Sequence, residues 1–233
     1  MNDIPLIALS DVSFCYPNQQ KLHAHTNFAL RAGDRFGIYG PNGTGKTTLF
    51  RLLMGLETPA RGRVLFQGRE MQGEKAFREV RQSIGFVLQN ADDQLFSPTV
   101  LEDVAFGPLN LGLSRSRALD RAMEALGSVD MADLAEHTTH NLSGGQKKLV
   151  SIASVLSMRP SAILLDEPTA FLDEASTRRV LAVLQALDLP LAIISHDREF
   201  LKPLCTAYYV MDDDGLTGPV ATLPPLPWCC HSH

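Results

Sequence analysis

The sequence predicts an α/β protein: a mainly parallel sheet, an antiparallel β edge and an inserted helical subdomain. Three observations carry this. Short, continuously apolar strand segments recur along the chain, several of them run into helical patterns, and one long central stretch has helix signals without a convincing strand. With 233 residues, the chain suits one α/β domain carrying an insertion and is cramped for two independent domains.

Taken in order, Ile7 to Phe14 alternates apolar and polar residues, as does Phe28-Ala29-Leu30, so both read as half-buried antiparallel strands. Arg35-Phe36-Gly37-Ile38-Tyr39 is a short apolar strand that feeds a glycine-rich turn and then an apolar-periodic helix from about Gly45 to Met54. Further strands are expected at Arg63 to Phe66, Ile84 to Leu88, Ala162 to Leu165, Leu191 to Ile194 and Ala207 to Met211, several of them followed by helical patterns, which indicates a mainly parallel sheet covered on both faces, with an antiparallel edge. Between them, roughly Asn90 to Met158 reads as helical. Thr99-Val100-Leu101-Glu102 has capping-box spacing, and Ser114 to Leu126 and Ser143 to Leu156 are helical patterns. The expected division of a single domain over 1–233 is a core of 1–89 and 159–215, a helical subdomain of 90–158 and a tail of 216–233.

Hydrophobic residues make up 45% and charged residues 20%, ordinary globular usage that argues against a disordered or fibrous chain. No apolar run approaches the roughly 20 residues of a membrane helix, and Met1-Asn2-Asp3-Ile4-Pro5 lacks the order of a signal peptide. The expectation is a cytoplasmic protein whose membrane attachment comes through a partner. A net charge of -5 argues against non-specific nucleic-acid binding as its task. Cys15 and Cys205, far apart in apolar or mixed surroundings, are expected to be buried free thiols. The end of the chain, Trp228-Cys229-Cys230-His231-Ser232-His233, gathers soft ligands that would suit nickel, cobalt, copper or zinc, at a spacing unlike a structural zinc site.

Three motifs carry chemistry. Gly40-Pro41-Asn42-Gly43-Thr44-Gly45-Lys46-Thr47 fits the phosphate-loop pattern between a buried strand and a helix start. Its backbone N–H groups and the helix dipole favour phosphate, Lys46 is expected to reach the β- and γ-phosphates, and Thr47 to place its hydroxyl on Mg²⁺. Thr48 continues the loop into the helix. Ala162-Ile163-Leu164-Leu165-Asp166-Glu167 is a buried strand ending in two carboxylates that strand alternation points in different directions, Asp166 toward Mg²⁺ and Glu167 toward an attacking water. Leu142-Ser143-Gly144-Gly145-Gln146 puts a capping box at a helix start but also two glycines, each costing about 1 kcal/mol against alanine. Close approach to a ligand explains those glycines better than a cap does.

That pentapeptide resembles the signature of the ABC ATPases, and the resemblance extends from Tyr16 to about His196. It implies a P-loop NTPase core that hydrolyses ATP with Mg²⁺. Within it, Tyr16 matches the aromatic that stacks on adenine, and Gln89 the glutamine that contacts metal and water and links core to insertion. Asp173 matches the acid of the loop after the second carboxylate, and His196 the histidine that contacts the γ-phosphate. Two cassettes then meet head to tail, so that Ser143, Gly144, Gly145 and Gln146 serve the nucleotide of the opposite chain; a homodimer is chemically sufficient, and a heterodimer with a second ABC ATPase is the other form.

A narrower resemblance runs from Gln89-Asn90-Ala91-Asp92-Asp93-Gln94-Leu95-Phe96 through Glu102-Asp103-Val104-Ala105-Phe106-Gly107-Pro108-Leu109-Asn110. It is to the ATPases of energy-coupling-factor (ECF) importers, especially the cobalt, nickel and biotin branch. The implied partners are a transmembrane coupling protein and a substrate-binding membrane protein, and the implied location is the cytoplasmic face of the cell membrane. Ala91, Leu149 and Phe171-Leu172-Asp173-Glu174 depart from the commoner proline, arginine and glycine-leucine-aspartate-proline. The alternative is an ABC ATPase acting on nucleic acid or the ribosome. Against it, chromosome-maintenance types carry a long coiled coil where this insertion is short, and translation types carry two cassettes in one chain.

Overall fold

The computed structural model describes residues 4–16 and 23–223. In chain order the first elements are β1 (Ile7–Phe14), β2 (His23–Leu30), β3 (Arg35–Tyr39), α1 (Lys46–Leu53), β4 (Arg61–Phe66), β5 (Arg69–Glu70), α2 (Gly73–Ser83) and β6 (Ile84–Val87). The helical segment follows with α3 (Val100–Asn110), α4 (Arg115–Ser128) and α5 (Gly144–Leu156). The chain then forms β7 (Ala162–Asp166), α6 (Glu174–Ala186), β8 (Leu191–Ile194), α7 (Arg198–Leu201), β9 (Ala207–Asp212) and β10 (Gly215–Val220).

These strands make two sheets. One has the order β10-β9-β3-β8-β7-β6, parallel from β9 to β6 with β10 antiparallel on its edge. The other, β2-β1-β4-β5, is antiparallel. The central strands β7 and β8 are buried along their whole length because both faces are covered. Alternation sends Ile163, Leu165, Leu191 and Ile193 into the apolar core shared with the helical segment. Ala162, Leu164, Ala192 and Ile194 go into the core shared with α1 and the antiparallel sheet.

Of the expected strands, Arg63–Phe66 lies in β4 of the antiparallel sheet, where Leu9 pairs with Val64. Its outer half is exposed and only Val64 and Phe66 are buried, so it presents one face to the core. One sequence expectation is corrected here: the tail does not begin at 216, since Gly215–Val220 pairs with β9. Within the stretch 90–158 the described elements are helical, with an isolated bridge between Thr99 and Thr138. Both expected capping boxes form: Thr99 with Glu102 at α3, and Ser143 with Gln146 at α5.

Register positions the site. Ile38, Ile194 and Asp166 stand level at the carboxyl ends of the neighbouring strands β3, β8 and β7. In an open parallel sheet that edge is where ligands bind. Among the described residues no helix is long and apolar enough to cross a membrane.

Candidate active site

The loop after β3 is shaped by close approach and by left-handed turns. A Cβ on Gly40 would stand 1.9 Å from the carbonyl oxygen of Met211, and Gly43 and Gly45 lie at φ +85 and +98. Thr44 Oγ1 donates to the Pro41 carbonyl at 3.0 Å, closing the turn from behind. Lys46 Nζ donates to the carbonyls of Gly40 at 2.8 Å and Pro41 at 2.6 Å, which holds the ammonium over the loop. Burial pushes this ammonium below its ordinary range, against the opposing pull of Glu167 and Asp166.

Thr47 Oγ1 donates to Asp166 Oδ2 at 2.8 Å, joining the start of α1 to the end of β7. Asp166 Oδ1 is buried with no hydrogen-bond partner. Burial raises this carboxyl's pKa, the Thr47 hydrogen bond opposing it. A buried oxygen lacking a donor beside a threonine hydroxyl fits one coordination position of a hard, oxygen-seeking cation. Among the described residues no group of three or more His, Cys, Asp and Glu could hold a metal. Such an ion would therefore take most of its remaining ligands from phosphate and water, the usual mode for Mg²⁺, with Gln89 in the lining of the same cavity.

Glu167 leaves the strand at φ +44, and its backbone N–H donates to the Ile194 carbonyl at 2.9 Å. Its Oε2 is 2.9 Å from His196 Nδ1, although the two residues are 29 apart in sequence. Asp166 and Glu167 thus turn to different partners. Tyr16 packs edge-on against Phe14 with ring centroids 4.8 Å apart, and its hydroxyl is 3.2 Å from Thr48 Oγ1.

These groups surround one cavity of about 660 Å³, lined by Tyr16, Asn42, Gly43, Gly45, Lys46, Thr47, Thr48, Gln89, Asp166, Glu167, Ala170, Phe171, Ile194 and His196. That is a volume suited to a nucleotide-sized ligand. Gly40, Pro41 and Thr44 build the loop behind it. Ser143, Gly144, Gly145, Gln146 and Asp173 are outside its lining. Asp173 caps α6 by accepting from Ser176 N at 2.7 Å, a hydrogen bond that lowers its pKa.

Gly145 has a reason within the chain that sequence reasoning did not see. A Cβ there would stand 2.2 Å from Ser176 Oγ, whereas one on Gly144 would meet only Leu172 at an ordinary 3.9 Å. Crowding within the chain thus accounts for Gly145 and not for Gly144.

Sequence reasoning also missed Lys148. Its buried ammonium donates to the carbonyls of Leu88 at 2.9 Å and Gln89 at 2.7 Å, tying α5 to the segment that carries Gln89. Burial lowers its pKa to about 8. The signal was present: Lys148 falls in helical register with the buried Ile152 and Val155. Gln94 makes a parallel link, accepting from Leu88 N and donating to the Ser151 carbonyl.

A family model described as ABC transporter matches residues 24–170. The chain belongs to the ABC transporter ATPases. It is 41% identical to an energy-coupling factor transporter ATP-binding protein EcfA of Methanocaldococcus jannaschii, over 89% of this chain and 76% of that protein. It is 44% identical to a cobalt import ATP-binding protein CbiO of Rhodobacter capsulatus, over 86% of this chain and 73% of the relative. Among solved structures, cbiO1 of Clostridium perfringens, part of the ABC transporter complex cbiONQ, superposes with a TM-score of 0.82 at 33% identity, covering 91% of this chain and 87% of that one. The α/β nucleotide-binding architecture and ATP hydrolysis follow for this ABC ATPase. Of the cysteines, Cys205 is buried, and Cys15, contrary to expectation, is exposed. The cysteine- and histidine-bearing end, 228–233, lies outside the described residues.

Proposed function

We propose that this ABC ATPase is the motor of an ECF-type importer, held at the cytoplasmic face of the cell membrane by a transmembrane coupling protein and acting with a substrate-binding membrane protein. Its cargo in this reading is a transition-metal ion, cobalt or nickel, or a vitamin such as biotin. The ECF-like stretch from Gln89 to Asn110 and the relatives' importer names support it.

The observation that carries the catalytic assignment is the Glu167–His196 contact of 2.9 Å at the mouth of the phosphate loop. With ATP seated, Lys46 neutralises the β- and γ-phosphates, and Tyr16 faces the adenine. Thr47, Asp166 and Gln89 would hold Mg²⁺, which would supply charge neutralisation to the phosphates. Glu167 orients a water and takes its proton as the water oxygen bonds to γ-phosphorus and the bond to the bridging oxygen breaks, leaving ADP. His196 fixes Glu167 through one ring nitrogen and presents the other toward the γ-phosphate. Ser143, Gly144, Gly145 and Gln146 at the start of α5, with Asp173, come from the second cassette of a homodimer or heterodimer, where the helix dipole favours the phosphates. No role toward nucleic acid is included.

The test is Glu167→Gln. It is expected to bind ATP with near-normal affinity, lose at least about a hundredfold in turnover and accumulate as an ATP-bound dimer. Unchanged phosphate release would remove Glu167 from the mechanism.

A further inference from the structure

Phe171 breaks two local rules at once. Its side chain is 94% exposed, and its φ of +63 lies in the left-handed region that a Cβ-bearing residue adopts only under constraint. Apolar exposure and backbone strain at one residue beside a catalytic cavity are features that intrachain stability would not maintain.

The surroundings of the ring are specific. Phe171 reaches the rim of the nucleotide cavity. The next residue, Leu172, packs on the apolar core and stands 3.9 Å from where a Cβ of Gly144 would be. Four residues further on, Ser176 leaves Gly145 no space for a Cβ, with 2.2 Å to its Oγ. The starts of α5 and α6 are therefore locked into one piece, and Ser143, Gly144 and Phe171 are all exposed on it.

On the composite-site reading proposed above, on which this inference rests, Ser143 and Gly144 act on the nucleotide of a second cassette. They cannot do so unless the piece that carries them is covered by that cassette. The start of α5 suits the role, having no acidic residue in its first turn. We infer that Phe171 is an anchor of the closed two-cassette assembly, its ring buried against a second copy of this chain at the rim of that copy's nucleotide cavity. Two-fold symmetry gives the assembly two such anchors, and a ring exposed in the free chain and buried in the dimer has the character of an interface hot spot.

The experiment compares Glu167→Gln with Glu167→Gln/Phe171→Gly by sedimentation in Mg-ATP, together with thermal melting and ADP affinity of the monomers. Glycine relieves the strained φ, so the monomer is expected to melt no lower than its parent. Its ADP affinity is expected to stay within about twofold, while the dimer dissociation constant weakens by about tenfold or more. Phe171→Leu in the same background is expected to fall between the two. An equally tight dimer for the glycine variant would overturn this inference and leave the composite site standing. Loss of ADP affinity, or a lower melting temperature, would assign the ring to its own chain and also overturn it. A parent that forms no ATP-dependent dimer would remove the composite-site reading and this inference with it.

Discussion

Glu167 joins two strand ends through a single unusual residue. At φ +44 it costs on the order of 1 kcal/mol or more in backbone strain, and the return is a carboxylate turned from β7 toward His196 beyond β8. Gly40 shows the opposite device, a residue whose missing side chain lets the loop pass under the Met211 carbonyl. Cysteine chemistry is decided at this scale as well. Burial pushes the Cys205 thiol up to about 12, so the nucleophilic thiolate is scarce near neutral pH and becomes appreciable only as pH approaches that value. Cys15 is exposed. Brief alkylation of the native protein at pH 8, followed by peptide mass spectrometry, is expected to label Cys15 extensively and to leave Cys205 unmodified until denaturant is added. Equal labelling of both would contradict the buried environment of Cys205.

At the scale of elements, α5 does two jobs with opposite ends of its first two turns. Its start is held against α6 by the Gly145–Ser176 contact, and Lys148 holds the carbonyls of Leu88 and Gln89. The helical segment is thereby tied to Gln89 at the nucleotide cavity. Gly145→Ala places a methyl 2.2 Å from Ser176 Oγ and 2.6 Å from its Cβ, so neither a rotamer change nor a small shift clears it. The expected loss is about 1–3 kcal/mol in chemical denaturation. Ser176→Gly alone costs about 0.5 kcal/mol of helix propensity. Combined with Gly145→Ala it is expected to recover part of the loss, a favourable coupling of about 1 kcal/mol in the double-mutant cycle. Additive losses would show that the contact is not the reason for the glycine.

For the whole molecule, the feature that bears on partners is a second cavity of about 340 Å³ between the sheet and the helical segment, whose lining includes Met54, Leu56, Phe86, Phe96, Phe106 and Met158. Phe96 and Phe106 pack edge to face with centroids 4.8 Å apart, yet they are 64% and 45% exposed. On the importer reading proposed above, this exposed aromatic pair at an apolar groove is where a helix of the coupling protein would dock. If the importer reading holds, the tagged chain from gently solubilised membranes is recovered with a coupling protein and a small substrate-binding membrane protein. Phe96→Ser/Phe106→Ser is expected to lower that recovery by about tenfold while ATP binding by the purified chain persists. Recovery with ribosomal companions alone would overturn the importer assignment and leave the ATPase chemistry intact.

The phosphate loop, the Asp166-Glu167 pair and the Ser143 cap were legible in the sequence because each is a contiguous run whose chemistry depends on near neighbours. The buried strands were legible for the same reason, since continuous apolar runs report burial on both faces. Periodicity reports how far a segment is buried and not what buries it. Hence the sheet that takes β4 was left open, β10 was read as tail, and α2, which buries only Phe77 and Val80, went unread. The pairing of Glu167 with His196, the orphaned oxygen of Asp166, the intrachain need for Gly145 and the buried ammonium of Lys148 all join residues distant in the chain. Only the tertiary structure decided them, because the partner that satisfies or crowds a group is fixed by how the sheets and helices pack.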